Sequence, residues 1–176
     1  MAIDGEMSKR LPWAQPAAEI DWDAAYAELL PRVYNYFRYR LGNDAVAEDL
    51  TSRTFEKAWT QRARYRRDLA GRSTWLFSIA RNVAVDHLRA QRRHLPLEAA
   101  EHVAAPGTPQ DHVAHASDLE RLAALLQRLP AREQELVALK YGAEATNRTI
   151  AALTGLSESN VGTILHRVVL ELRSAW

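Results

Sequence analysis

Arginine is concentrated between residues 62 and 93. RARYRR supplies Arg62, Arg64, Arg66 and Arg67, and the following stretch supplies Arg81, Arg89, Arg92 and Arg93. Trp59, Tyr65 and Trp75 lie near the two ends of RARYRR. A guanidinium fork matches phosphate, and an aromatic face stacks on an unpaired base. A base turned out of a duplex needs a pocket of the same kind. Residues 75–93, WLFSIARNVAVDHLRAQRR, interleave basic and apolar types, with Asn82 and Asp86 among them. The plain alternative is a solvated helical surface. On that reading Trp59 belongs in the core, while Trp75 fits core or surface equally.

A second group lies in TIAALTGLSESNVGTILHR, residues 149–167. Ala151 allows close approach of two helices, Gly155 gives a tight turn, and Val161 anchors the second helix from beneath. That is the spacing of a helix-turn-helix. Glu158, Ser159, Asn160, Thr163, His166 and Arg167 then face outward, toward a groove about 12 Å wide. Glu158 can accept from a cytosine amine and Asn160 can pair with adenine. Arg148 and Arg167 suit phosphates. Two packed helices touching no DNA would give the same pattern.

Covalent chemistry finds little support. The sequence has no cysteine, which excludes disulfides, thiolate metal sites and a cysteine nucleophile. It has no Gly-rich phosphate loop and no HExxH motif. Asp111, His112 and His115 imitate a metal cluster but fall in a segment with no rigid element to hold them. Asp86 and His87 are adjacent and point apart on a helix. Asp86 is expected to hold Arg89 or Arg81. No catalytic residue, metal or cofactor is expected.

The elements that must position these groups read as helices. Apolar residues recur every three or four positions from Ile20 to Arg40, with Pro31 expected to kink or divide the segment. A turn at Leu41–Asp44 precedes a helix over about 45–64. Ala47, Leu50, Thr51, Thr54, Phe55 and Ala58 share its inner side, and Glu48, Asp49, Ser52, Arg53, Glu56 and Lys57 its outer side. A third helix runs from Ser73 or Thr74 to about Arg92. Further helices are expected over about 119–129, 131–141, 148–154 and 158–173, with Thr146 or Asn147 and then Ser157 as caps, and Gly142 as a stop. No segment alternates as a strand would.

Between the blocks, His94–His115 carries three prolines and no sustained period, apart from a short turn near 97–103. A structureless stretch of that length argues for two domains. The fold class is therefore all-α: two small helical domains, 18–93 and 118–176, joined by a flexible linker, 94–117, the second domain a helix-turn-helix. Residues 1–17 form a loose tail, with Trp13 a candidate to dock.

Net charge is +1, yet its distribution is uneven. Residues 1–93 carry 16 basic and 12 acidic residues, the linker only Glu98, Glu101 and Asp111, and residues 118–176 seven of each sign. A local patch can steer a polyanion even on a near-neutral chain. No apolar run is long enough to span a membrane, and the start lacks the order of a signal peptide. The expectation is a soluble cytoplasmic protein with no membrane insertion.

These residues resemble a family. RLGNDAVAEDLTSRTFEKAW, STWLFSIARNVAVDHLRAQRR, and LPAREQELVAL followed by the helix-turn-helix are similar to bacterial RNA polymerase sigma factors of the extracytoplasmic-function group. The likeness spans about residues 20–93 and 119–173. It implies a transcription initiation factor that binds core RNA polymerase, directs it to promoters and promotes melting. By position, Glu48, Asp49, Ser52, Arg53, Glu56 and Lys57 would face the polymerase. Arg62, Arg64, Tyr65, Arg66 and Arg67 would cradle a flipped minus-ten base, and Trp75, Arg81, Asn82, Asp86 and Arg89 would shape the melting surface. Arg92 and Arg93 would hold upstream phosphates. Arg148, Glu158, Ser159, Asn160, Thr163, His166 and Arg167 would meet the minus-thirty-five element. The acidic linker would thread toward the RNA exit path, and an anti-sigma factor is an implied partner.

The chain departs from the family pattern at Ser52, Arg53 and Thr149, and in Asn160-Val161-Gly162-Thr163-Ile164, which lacks two usual basic residues. Gly162 costs roughly 1 kcal/mol inside a helix. Ile164 and Val169 are candidate exposed apolar residues, which suits weaker DNA binding or a covering partner. The competing readings are a stand-alone helix-turn-helix regulator and a sigma-like adaptor that binds polymerase or an inhibitor.

Overall fold

A computed structural model describes residues 21–94 and 118–176. The expected linker, the turn at 97–103, Trp13 and the Asp111, His112, His115 group lie outside these residues. The described residues are helical, in the order α1 Trp22–Leu41, α2 Asp44–Gln61, α3 Arg72–His94, α4 Asp118–Gln127, α5 Ala131–Val137, α6 Asn147–Thr154 and α7 Glu158–Ala175. A 3₁₀ turn, Arg62–Arg64, follows α2, and a π-helical turn, Ala138–Gly142, extends α5.

Local chemistry sets the ends. The Asp21 carboxylate accepts from the Ala24 N–H at 3.0 Å and starts α1. Gly42, at φ 65°, ends it in the left-handed conformation that glycine adopts without strain. Asn43 then accepts from Val46 N at 2.9 Å and starts α2. Pro31 does not divide α1, which runs through it without a break. Its ring and the Ala27 residue whose carbonyl it cannot bond are both exposed, so water satisfies that carbonyl. Leu29 and Val33, on the opposite side, are buried.

The expected inner side of α2 is buried at Ala47, Leu50, Thr51, Thr54 and Ala58. The α3 stripe is Leu76, Phe77, Ile79, Ala80, Val83 and Ala84. In the C-terminal block Leu136, Leu139, Ile150, Val161, Leu165 and Val168 are buried. Both helical blocks are present, but their buried side chains form one contiguous cluster rather than two cores. The reason lies in α1, which buries residues along its whole length, from Ala25 to Arg40. Helices α2 and α3 cover part of it, and the α5 extension covers the rest.

Gly142 makes that second contact possible. A Cβ there would stand 2.8 Å from the Asn35 carbonyl oxygen and 2.9 Å from the Tyr36 nitrogen. The residue expected only to stop a helix is where the two backbones meet.

Candidate nucleic-acid interface

The arginine-rich loop and the tryptophans form one corner. Trp22 lies 6.5 Å from Trp59 and 6.0 Å from Trp75, ring centre to ring centre, both edge-on. Tyr65 lies 5.2 Å from Trp75, and its hydroxyl donates to the Ala70 carbonyl at 3.1 Å. Arg62 donates to the Trp59 carbonyl at 2.7 Å and lies 4.0 Å from the centre of the Trp59 ring. A cavity of about 250 Å³ opens among Trp22, Tyr26, Phe55, Trp59, Arg72 and Trp75. Trp59 is 53 % exposed, so its expected core placement is corrected. It stands at the end of α2, where the Arg62 guanidinium lies against its ring. Trp75 is half-buried.

Arg64, Arg66 and Arg67 are exposed. Arg66 forms a two-bonded fork with Asp68 at 2.9 and 2.7 Å. That hydrogen bonding holds the Asp68 carboxyl below its ordinary range. Along α3, Asn82, Asp86, Arg89, Arg92 and Arg93 are exposed. Asp86 pairs with Lys57 of α2 at 3.8 Å, not with Arg89 or Arg81 as expected. The packing of α2 on α3 brings Lys57 to it.

Arg81 is turned away from this face. Its Nε donates to Glu135 Oε1 at 2.8 Å, and Nη1 donates to the Leu153 carbonyl. It therefore bridges α3 to α5 and α6.

Among the described residues the charged outer side of α2 faces solvent: Glu48, Asp49, Ser52, Arg53, Glu56 and Lys57 are all exposed. Arg53 and Asp49 pair one turn apart at 3.0 Å.

Helices α6 and α7 form the expected helix-turn-helix. Thr146 caps α6 by accepting from Thr149 N at 3.1 Å. Gly155, at φ 74°, donates its N–H to the Ala151 carbonyl at 2.9 Å. Ser157 caps α7 by accepting from Asn160 N at 3.2 Å. Arg148, Glu158, Ser159, Asn160, Thr163, His166 and Arg167 are all exposed. Arg148 pairs with Glu158 at 3.7 Å, and Arg167 pairs with Glu133. Ile164 and Val169 are half-buried, and Leu170 is the exposed apolar residue of α7.

Residues 25–94 match sigma-70 region 2, and residues 119–172 match sigma-70 region 4. The chain is 30 % identical over 156 residues to the RNA polymerase sigma factor CarQ of Myxococcus xanthus, covering 89 % of each. The chain belongs to the RNA polymerase sigma factor family. It is also 29 % identical to the ECF RNA polymerase sigma factor BldN of Streptomyces coelicolor, over 97 % of this chain and 67 % of that protein. It is thus a sigma factor of the extracytoplasmic-function group, a transcription initiation factor. Its fold is similar to that of sigma factor RpoE of Bartonella quintana, solved in complex with the anti-sigma factor NepR. That likeness has a TM-score of 0.72 at 20 % identity, over 88 % of this chain and 95 % of that one.

Sequence reasoning missed three residues of this sigma factor: Arg32, Arg40 and Glu135. Arg32 donates to the Ala143 carbonyl at 2.9 and 2.7 Å. Arg40 pairs with Glu135 at 3.1 Å with only 7 % of its side chain exposed. One signal was available. Arg40 continues the apolar stripe Val33, Phe37, so a charge stands where helical spacing demands burial. Among the described residues no cluster of three or more His, Asp or Glu is arranged to hold a metal, and no helix is long and apolar enough to cross a membrane.

Proposed function

We propose that the exposed α2 face docks on core RNA polymerase through Glu48, Asp49, Ser52, Arg53, Glu56 and Lys57. The domain over 18–93 then reads the minus-ten element and the domain over 118–176 the minus-thirty-five element, joined by 94–117. The observation that carries this reading is the corner of Trp22, Trp59, Trp75 and Tyr65 beside the arginine loop. It offers ring surface for an unpaired base and guanidinium groups for its phosphates. Arg62, Arg64, Arg66 and Arg67 line the base's path, and Asn82, Asp86 and Arg89 contact the strand as it separates. Arg92 and Arg93 hold duplex phosphates upstream. Residues Glu158, Ser159, Asn160, Thr163 and His166 of α7 read base edges, and Arg148 and Arg167 fix its register.

The work is positional, not covalent. Unstacking costs a few kcal/mol per step, and capture of one base offsets part of it. Such a protein acts in the cytoplasm, where polymerase and promoters meet. Among solved structures similar to this chain, sigma factor RpoE is held by the anti-sigma factor NepR, and CnrH by the cytosolic domain of CnrY. We infer an anti-sigma partner here as well.

The test is transcription from a library of genomic fragments by core polymerase with and without the purified chain. New transcripts with shared sequences near minus ten and minus thirty-five support the reading. Transcripts identical in both reactions contradict it.

A further inference from the structure

We propose that the aromatic cavity at the start of α1 is the seat of Trp13, from residues 1–20 of this same chain, and that an unpaired base must displace it. The competition rests on the function above, whereas the seat itself does not. Trp22, Tyr26, Leu29, Phe55, Trp59 and Trp75 line a space of about 250 Å³. Pockets that enclose a drug-sized ligand begin near about 300 Å³, so this one suits a single ring system. Tyr26 is 47 % exposed and Trp59 53 %. Two large aromatic side chains left open on one cavity mark a surface that another group covers.

Position in the chain selects the occupant. Trp22 and Asp23, in the first turn of α1, are part of the cavity wall. The chain enters α1 at that wall, through the Asp21 cap. Residues 1–20 are thus tethered at the rim, where their effective concentration is high. Trp13 is the only aromatic residue among them. The stretch from Trp13 to Trp22 spans at most about 30 Å when extended, ample for the chain to turn back into the cavity. Pro12 restricts Leu11 to extended backbone, which lowers the entropy lost on docking. Lys9 and Arg10 precede Trp13 and Glu19 follows it, while the cavity rim carries exposed Asp23 and Arg72. Charges of both signs therefore find opposites at the rim.

The seat has a consequence for DNA. An indole in the cavity lies against Trp22, Trp59 and Trp75, the rings that the proposed function gives to a base. Trp13 and the base compete for one stack, and the chain's own residues hold the site until melted DNA arrives.

The full chain grown on 5-fluorotryptophan carries five fluorine reporters, and W13A assigns one of them to Trp13. In the parent chain, Trp13 should be shielded from a soluble gadolinium chelate relative to a peptide of residues 1–20. In Y26A, which removes a cavity wall at an exposed position, it should become as accessible as in the peptide, with helical circular dichroism retained. Adding a single strand of about 20 mixed nucleotides should expose it as well. Binding of that strand, labelled with fluorescein, should tighten about tenfold in W13A, the scale of one ring stack, and much less in W13F. A Trp13 as accessible in the parent as in the peptide would overturn the proposal, as would an unchanged affinity in W13A. Shielding is read without DNA or polymerase. A shielded Trp13 in a chain that fails to bind core polymerase would therefore support the seat and fault the functional reading alone.

Discussion

The Arg62 guanidinium lies 4.0 Å from the centre of the Trp59 ring and donates to the Trp59 carbonyl at 2.7 Å. One side chain therefore steadies both the end of α2 and the face of an exposed ring. W59A should leave core binding unchanged and slow promoter opening by about tenfold, because a base–ring stack contributes about 1–3 kcal/mol. Permanganate reactivity of promoter thymines reports it. Normal opening in W59A would remove Trp59 from base capture.

The outer face of α2 makes a different prediction. E48K with E56K reverses two exposed charges that no core contact uses. Folding should be retained within about 0.5 kcal/mol, as for surface changes generally. Affinity for core polymerase should fall at least about tenfold. Thermal melting and fluorescence titration check the two halves of this statement.

Arg92 and Arg93 close α3 on an exposed turn. R92A with R93A should weaken promoter binding and lower the slope of log K against log salt by about two, one unit per phosphate contact. Core binding should not change. Equal loss in both assays would assign this helix end to the polymerase instead.

Tyr36 supplies a pH dependence. Burial pushes its phenol up to about 12. The neutral form is thus favoured on folding, so this stability is whole below pH 10 and is lost as pH rises toward 12. The loss is on the order of 2 kcal/mol. Among the described residues the Tyr36 hydroxyl has Arg40 beside it but no partner in full hydrogen-bond geometry, so Y36F should melt no lower than the parent at neutral pH. Its melting temperature should also fall less between pH 10 and 12. Parallel curves for the two proteins would contradict this.

How much of this was legible in the residues differs by element. Helix spacing located α2, its buried stripe and its charged outer side, because one periodicity governs all three. The caps Thr146 and Ser157 and the turn at Gly155 followed from local chemistry. Pro31 misled because a missing hydrogen bond matters little where its carbonyl faces water. Trp59 misled because helical spacing does not foresee a ring faced by a neighbouring arginine instead of a helix. Arg81 and Glu135 are 54 residues apart, and periodicity holds no information about such a pair. Arg81 carried the right chemistry for a phosphate and is held in the structure by a carboxylate.

The most direct test of the central claim is titration of sigma-free core RNA polymerase with the purified full chain, preceded by co-elution on a sizing column. A one-to-one complex is predicted, weakened by E48K with E56K. A folded, monodisperse chain that fails to bind core polymerase would contradict the account.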